Sequence, residues 1–296
     1  MAGNSTCLNG TSAIFVGISE TIELLEWMMG ALRCCHRGHR LLQRFKTCSR
    51  KYHASTHFRS AAICKQNLYS DPQDPSWNGG YYAECSALGG QNTTSLDFRW
   101  KTDMRTRHDE WTRKLVLERA AARRTVIVLG GGVSHFTRHA DYPRGLNVLV
   151  PPSFELPQHW VDDYVNATED LFRLFAPASL PSNVCVLWKP INIAVRHNGS
   201  TGHHPSSIGG VHDWLNKITA TLARREGILP LDTASMLRPL RPRGFRNADP
   251  LGRGGSEGDP YHGFNPQHFA PQMVAQLCAL CRSQAEGGAG GHISYW

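Results

Sequence analysis

Residues Ala13 to Leu32 read AIFVGISETIELLEWMMGAL, and the fold follows from how this run changes its period. Ala13 to Val16 are four apolar residues in a row, the pattern of a short strand buried on both faces. Gly17 permits a sharp turn. From Glu20 to Leu32 the apolar residues fall at Ile22, Leu25, Met28, Met29 and Leu32, the spacing of a one-faced helix. A strand, a glycine turn and a helix put Ser19 at the C-terminal edge of a parallel sheet. Backbone N–H groups at such an edge can hold a negative oxygen. Ser19 equally suits an ordinary helix N-cap, since serine is favoured there. On this run alone both readings stand.

The far end of the chain separates them. Residues 257–281 read EGDPYHGFNPQHFAPQMVAQLCALC. Asp259 and His262 are three apart in a Gly/Pro-rich stretch, just ahead of an apolar-periodic segment through Met273, Val274, Leu277 and Cys281. A carboxylate in such a turn can accept from one imidazole nitrogen and fix the tautomer. The other nitrogen is then free to take a proton from a serine. Asp-x-x-His alone is common in surface turns. An early strand-Gly-x-Ser-helix joined to a late Asp-x-x-His before the last helix is a more specific combination.

Phe15-Val16-Gly17-Ile18-Ser19 resembles the hydrophobic strand and Gly-Asp-Ser of the SGNH, or GDSL-type, hydrolase superfamily, and Asp259 to His262 resembles its last motif. More narrowly, the chain resembles the PC-esterase branch. That branch includes the trichome-birefringence-like polysaccharide O-acetyltransferases and the sialic-acid O-acetyltransferase domains. LDFRW (Leu96 to Trp100) is similar to the family's short aromatic strand, TVIVLGGG (Thr125 to Gly132) to the strand bearing an oxyanion-hole asparagine, and VCVLWKP (Val184 to Pro190) to the strand after it.

This resemblance implies a three-layer α/β/α sandwich with a mainly parallel, flavodoxin-like sheet. It implies Ser19 as nucleophile, His262 as general base and Asp259 as the group that orients it. The oxyanion hole would comprise the Ser19 backbone N–H and N–H groups at Gly130 and Gly131. The implied activity is an esterase or O-acyltransferase, adding or removing acetyl groups on glycans or polysaccharides without cofactor or metal. Two positions depart from the pattern. Ile18 stands where the family has a turn-ordering aspartate, and Gly130 where it has the asparagine. These departures keep open the alternative of an impaired relative that binds a glycan or a protein, although a full triad with a poorer oxyanion hole could still turn over.

Outward from these motifs, periodicity predicts a helix over residues 107–123 feeding a strand at Thr125 to Leu129. A helix over 160–175, a strand at Val184 to Leu187, a helix through Val211 to Leu222 and a strand at Ile228 to Leu231 follow. Alternating short apolar runs and amphipathic helices imply a parallel sheet covered on both faces. Residues 11–284 read as one domain with a loop-rich insertion at 48–95, and 285–296 as a Gly-rich disordered tail. Gly130 to Gly132 read as an oxyanion wall or as a tight turn; without a following Gly-Lys-Ser they are not a phosphate loop. His135 and His139 read as loop histidines.

A chain of 296 residues, 41% apolar and 19% charged, is globular in composition and long enough for a sizeable core. The net charge of +8 is dispersed, without an aromatic-interleaved basic repeat. That weighs against a nucleic-acid partner and is equally compatible with attraction to an acidic polysaccharide; the partner that the resemblance implies is an acylated glycan or polysaccharide. No membrane-spanning run or signal peptide is evident, and a start so close to the first motif suggests that an N-terminal anchor is missing. Five glycosylation sequons, at Asn4, Asn9, Asn92, Asn166 and Asn198, and nine cysteines point to the secretory pathway, the Golgi lumen or the exterior. Cys185 reads as a free core thiol and the other eight cysteines as bridge formers of open connectivity. The run of Cys34, Cys35, His36, His39, Cys48, His53 and His57 lacks zinc-site spacing, and Cys278-x-x-Cys281 falls too late in a helix for a redox motif.

Overall fold

Strand β1, Ser12–Gly17, is buried at all six positions, as a continuous apolar run requires when both faces of a sheet are covered. The computed structural model describes residues 5–17, 21, 24, 25, 28, 64–66, 80–86, 93–101, 103–106, 109–132, 135–136, 156–191, 205–233 and 266–286. Further strands are β2 Cys64–Gln66, β3 Gly80–Ser86, β4 Thr93–Trp100, β5 Thr125–Leu129, β6 Val184–Trp188 and β7 Leu229–Pro230. The longer helices are α1 Asp109–Ala122, α2 Gln158–Leu174, α3 Pro205–Arg225 and α4 Pro266–Ala285. Thr21, Leu24, Leu25 and Met28 are also helical, in the segment that follows β1.

The seven strands form one sheet in the order β2-β3-β4-β1-β5-β6-β7. β4, β1, β5, β6 and β7 are parallel to one another. β3 pairs antiparallel with both β2 and β4. The protein is therefore an α/β sandwich with a mainly parallel sheet. Taken alone, the five parallel strands run second, first, third, fourth, fifth along the chain. That is the flavodoxin-like doubly wound order, with its switch point between β1 and β5.

Side-chain alternation sorts the core into two layers. On one face Ala13, Phe15, Val126, Val128, Cys185 and Leu187 pack with Leu24, Leu25 and Met28 and with Met273, Val274 and Leu277 of α4. On the other, Ile14, Val16, Ile127, Leu129, Val186 and Trp188 pack with α1, α2 and α3 through Leu115, Tyr164, Leu171 and Leu215. A period-two strand that is apolar on both faces feeds both layers at once.

Three expectations change. The segment read as a loop-rich insertion contains β2, β3 and the start of β4, which widen the sheet on one side. α3 begins at Pro205, six residues ahead of Val211, where the expected helix was first marked; proline fits the first turn of a helix because its missing N–H would be unpaired there anyway. Cys185 is not a free thiol but is bridged to Cys281, and Cys7 is bridged to Cys278. The Cα separations are 5.4 and 5.9 Å, within ordinary bridging range. The last-helix C-x-x-C thus ties to two different partners. Cys34, Cys35, Cys48, the histidines among them and the Gly-rich tail from 287 on lie outside the described residues.

Candidate active site

Each parallel strand hands its last backbone acceptor to the residue just past its neighbour's end. Lys101 N–H donates to Gly17 O, Gly130 N–H to Val16 O and Lys189 N–H to Leu129 O, each at 2.7 Å. The C-terminal edge is thereby held in register around the β1/β5 switch point, where ligands bind in open α/β sheets. Lys101 and Lys189 stand just past β4 and β6, and both are almost fully buried. Lys101 Nζ pairs with Asp109 Oδ2 at 2.7 Å and donates to Arg105 O at 2.6 Å. Lys189 Nζ donates to Pro190 O at 3.0 Å.

The three glycines after β5 each answer a packing demand. A Cβ on Gly130 would lie 2.6 Å from Thr21 Oγ1, and one on Gly17 would collide with the same threonine. Gly131 and Gly132 have φ of +112° and +95°, a region that side chains strain. A Cβ on Gly132 would press on the Tyr164 ring and hydroxyl at 3.0 Å. The run is therefore a tight turn laid against Thr21 and Tyr164. The expectation that Gly130 N–H serves an oxyanion is corrected: the ladder bond to Val16 O already uses it. Among the described residues, the Gly131 N–H meets no acceptor.

His135, read as a loop histidine, is buried and takes part in a hydrogen-bonded chain. Met104 N–H donates to its Nδ1 at 3.3 Å, so Nε2 carries the hydrogen and faces Asp163 Oδ2 at 3.0 Å. Arg105 reaches the same carboxylate oxygen at 3.0 Å. Burial holds the imidazole below its ordinary pKa, against the pull of Asp163 and Asp103. Burial alone would raise Asp163, but the Arg105 hydrogen bond and the nearby His135 hold it below the ordinary carboxylate value. With both ring nitrogens engaged, His135 ties the segments after β4 and β5 to α2 and is not a free base.

Of the proposed triad, Ser19, Asp259 and His262 lie outside the described residues, as do Ile18 and His139. The structure fixes the elements that flank them. β1 ends at the switch point, and Thr21, four residues on from Gly17, packs back against it. The last helix has a defined direction. Cys278 joins Cys7, which precedes β1, and Gln284 bonds to Val186 in the middle of β6 and to Gly227 O ahead of β7. The C-terminal half of α4 therefore lies at the N-terminal edge of the sheet. A 20-residue helix is about 30 Å long, so its first residue, Pro266, points toward the opposite, C-terminal edge.

Sequence reasoning missed Thr21, Lys101, Lys189 and Tyr164. The lysines had a signal, since each follows an apolar strand directly, as FRWK and LWKP. Thr21 lay inside the opening run but outside the apolar positions that marked its helix. Among the described residues no three His, Cys, Asp or Glu side chains gather as a metal site, and no helix is long and apolar enough to cross a membrane.

No family model matches the chain, and no curated protein matches it. Among solved structures it is similar to phospholipase A1 from Streptomyces albidoflavus NA297, at 12% identity over 93% of this chain and 99% of that one, with a TM-score of 0.39. That likeness is too distant to carry any residue's role across.

Proposed function

We propose that the chain is a hydrolase of the SGNH type, with Ser19 as nucleophile, His262 as base and Asp259 as orienter. The observation that supports this reading is that β1 ends at the sheet edge toward which the first residue of α4 points. Ser19 is two residues beyond Gly17, within about 7 Å of the end of β1. His262 is four residues before Pro266, within about 14 Å of the end of α4 that points to the same edge. The order of motifs and the direction of α4 thus support one site at the switch point.

In this mechanism His262 takes the Ser19 hydroxyl proton as the oxygen attacks an acyl carbonyl. Asp259 holds the imidazole tautomer. The collapsing intermediate releases its alcohol, which takes the proton back from His262, and leaves an acyl-enzyme. Water or a sugar hydroxyl then resolves it, the first giving an esterase and the second an O-acyltransferase. The motif resemblance to the PC-esterase branch and the net charge of +8 support an acylated, acidic glycan as substrate. Five sequons and two disulfides support residence in the secretory pathway, the Golgi lumen or the exterior. The binding-only alternative draws support from Gly130, which offers neither a side-chain amide nor a free N–H.

A fluorophosphonate probe separates the two. Wild-type protein should label covalently, Ser19→Ala should not, and His262→Ala should label far more slowly. Folded wild type that stays unlabelled favours the binding module.

A further inference from the structure

The two edges of the sheet treat their buried hydroxyls differently. At the N-terminal edge each one is satisfied. Thr11 donates to Cys7 O at 3.1 Å and Thr94 to Leu8 O at 2.6 Å. Ser12 and Ser95 share a bond at 2.5 Å, and Thr125 donates to Arg123 O at 3.3 Å. At the C-terminal edge the pattern reverses. Thr21 Oγ1, Trp188 Nε1, Thr233 Oγ1 and the Tyr164 hydroxyl are buried with no hydrogen-bond partner among the described residues. They stand just after β1, at the end of β6, just after β7 and against Gly132. Arg113 Nε on α1 and Gln276 Oε1 on α4 are also unpaired among the described residues, but around the sheet the unpaired groups gather at this one edge. Because buried polar groups are nearly always paired, a polar ligand bound there would satisfy them.

Thr21 holds the central place. Its side chain is fully buried at the switch point, and Gly17 and Gly130 both lack the Cβ that would occupy its space. Valine has the same shape and would fill this wedge without an unpaired hydroxyl. A threonine here is accounted for if some state of the protein gives its hydroxyl an acceptor.

We propose that the Thr21 hydroxyl is a ligand-binding donor at the floor of the switch-point crevice, where it takes the carbonyl or anionic oxygen of a bound acyl or phosphonyl group. The proposal rests on the hydrolase reading and deepens it. It supplies a donor from the helical segment after β1 at the place where Gly130 brings none. Thr21 does not move a proton; it stabilises the negative oxygen that forms as Ser19 attacks, a role whose loss typically slows such reactions about 10²- to 10³-fold.

The test compares second-order labelling rates by a fluorophosphonate probe, with melting temperatures measured in parallel. Thr21→Val should melt no lower than wild type yet label at least tenfold more slowly, while Thr21→Ser should label within about threefold of wild type. A purely structural threonine predicts the reverse, with valine neutral and serine impaired. Should Thr21→Val not fold, Thr21→Ala against Thr21→Ser gives the same contrast. Thr21→Val labelling at the wild-type rate, or alanine matching serine, overturns the role of Thr21 and leaves the hydrolase reading intact. Folded wild type that never labels overturns both.

Discussion

At His135 the hydrogen on Nε2 faces Asp163, and Nδ1 is spent on the Met104 N–H. Protonating the ring would put a second hydrogen where Met104 already donates. Asp163, Asp103, Arg105 and the Tyr164 ring are the groups around it. The folded pKa lies below the ordinary value of 6.5, so as pH falls past 6.5 the unfolded chain binds a proton that the folded one refuses. Stability is thus complete above about pH 6.5 and declines on acidification toward the folded pKa. A melting-temperature series from pH 8 to 5 should show this slope, and His135→Gln should flatten it. An identical profile in the variant would mean that other groups set the acid response. Gly130 invites the opposite kind of change. Its place in the motif suggests asparagine, but the first side-chain atom would meet Thr21 Oγ1 at 2.6 Å. Gly130→Asn should therefore lower stability by about 1–3 kcal/mol, an overpacking cost read by denaturant titration, and should not improve activity.

Between elements, the ties that position the site are polar as well as apolar. Lys101, just past β4, meets Asp109 in the first turn of α1 with both side chains out of water. Asp97 within β4 takes a two-point contact from Arg119 on the same helix at 3.1 and 3.2 Å. Removing one partner of a buried pair leaves a charge without compensation, so Asp109→Ala should cost about 3–5 kcal/mol. Replacing both, as Lys101→Met with Asp109→Leu, should cost less than either single change, a non-additivity that a double-mutant cycle measures directly.

The legibility of the elements follows the same physics. β1, β5 and β6 fall within one residue of their expected ends because strands covered on both faces must be apolar throughout. β3 was missed because it is antiparallel, near the sheet margin, and preceded by SDPQDPSWNGG; its pairing with β4 is a long-range fact that no local pattern announces. For the proposed site, motif order suggested Ser19, Asp259 and His262, which lie outside the described residues, whereas Thr21 became visible only when Gly17 and Gly130 were seen to close upon it.

For the molecule as a whole, α4 is the closing piece, and two disulfides hold it. Cys7–Cys278 fastens it to the segment before β1, joining positions 271 apart in the chain. Cys185–Cys281 fastens it to β6, joining positions 96 apart. Cys185, Cys278, Leu277 and Met273 share one hydrophobic layer with β1 and β5, so the bridges reinforce a packed face. They also set the direction of the helix, and with it the sheet edge toward which its first residue, Pro266, points. Each bridge should contribute about 2–5 kcal/mol, chiefly by restricting the unfolded chain. Two measurements check this. Peptide mapping without reduction should recover Cys7 linked to Cys278 and Cys185 linked to Cys281. An internal Cys278–Cys281 bridge would contradict the arrangement, because one helix would then satisfy its own cysteines and leave β6 and the N-terminus untied. Reduction should then lower the melting temperature by several degrees and, on the proposed mechanism, slow probe labelling as well, since α4 loses its anchorage. If labelling persists at full rate in the reduced, still-folded protein, the apolar packing of α4 alone is enough to hold that end of the site.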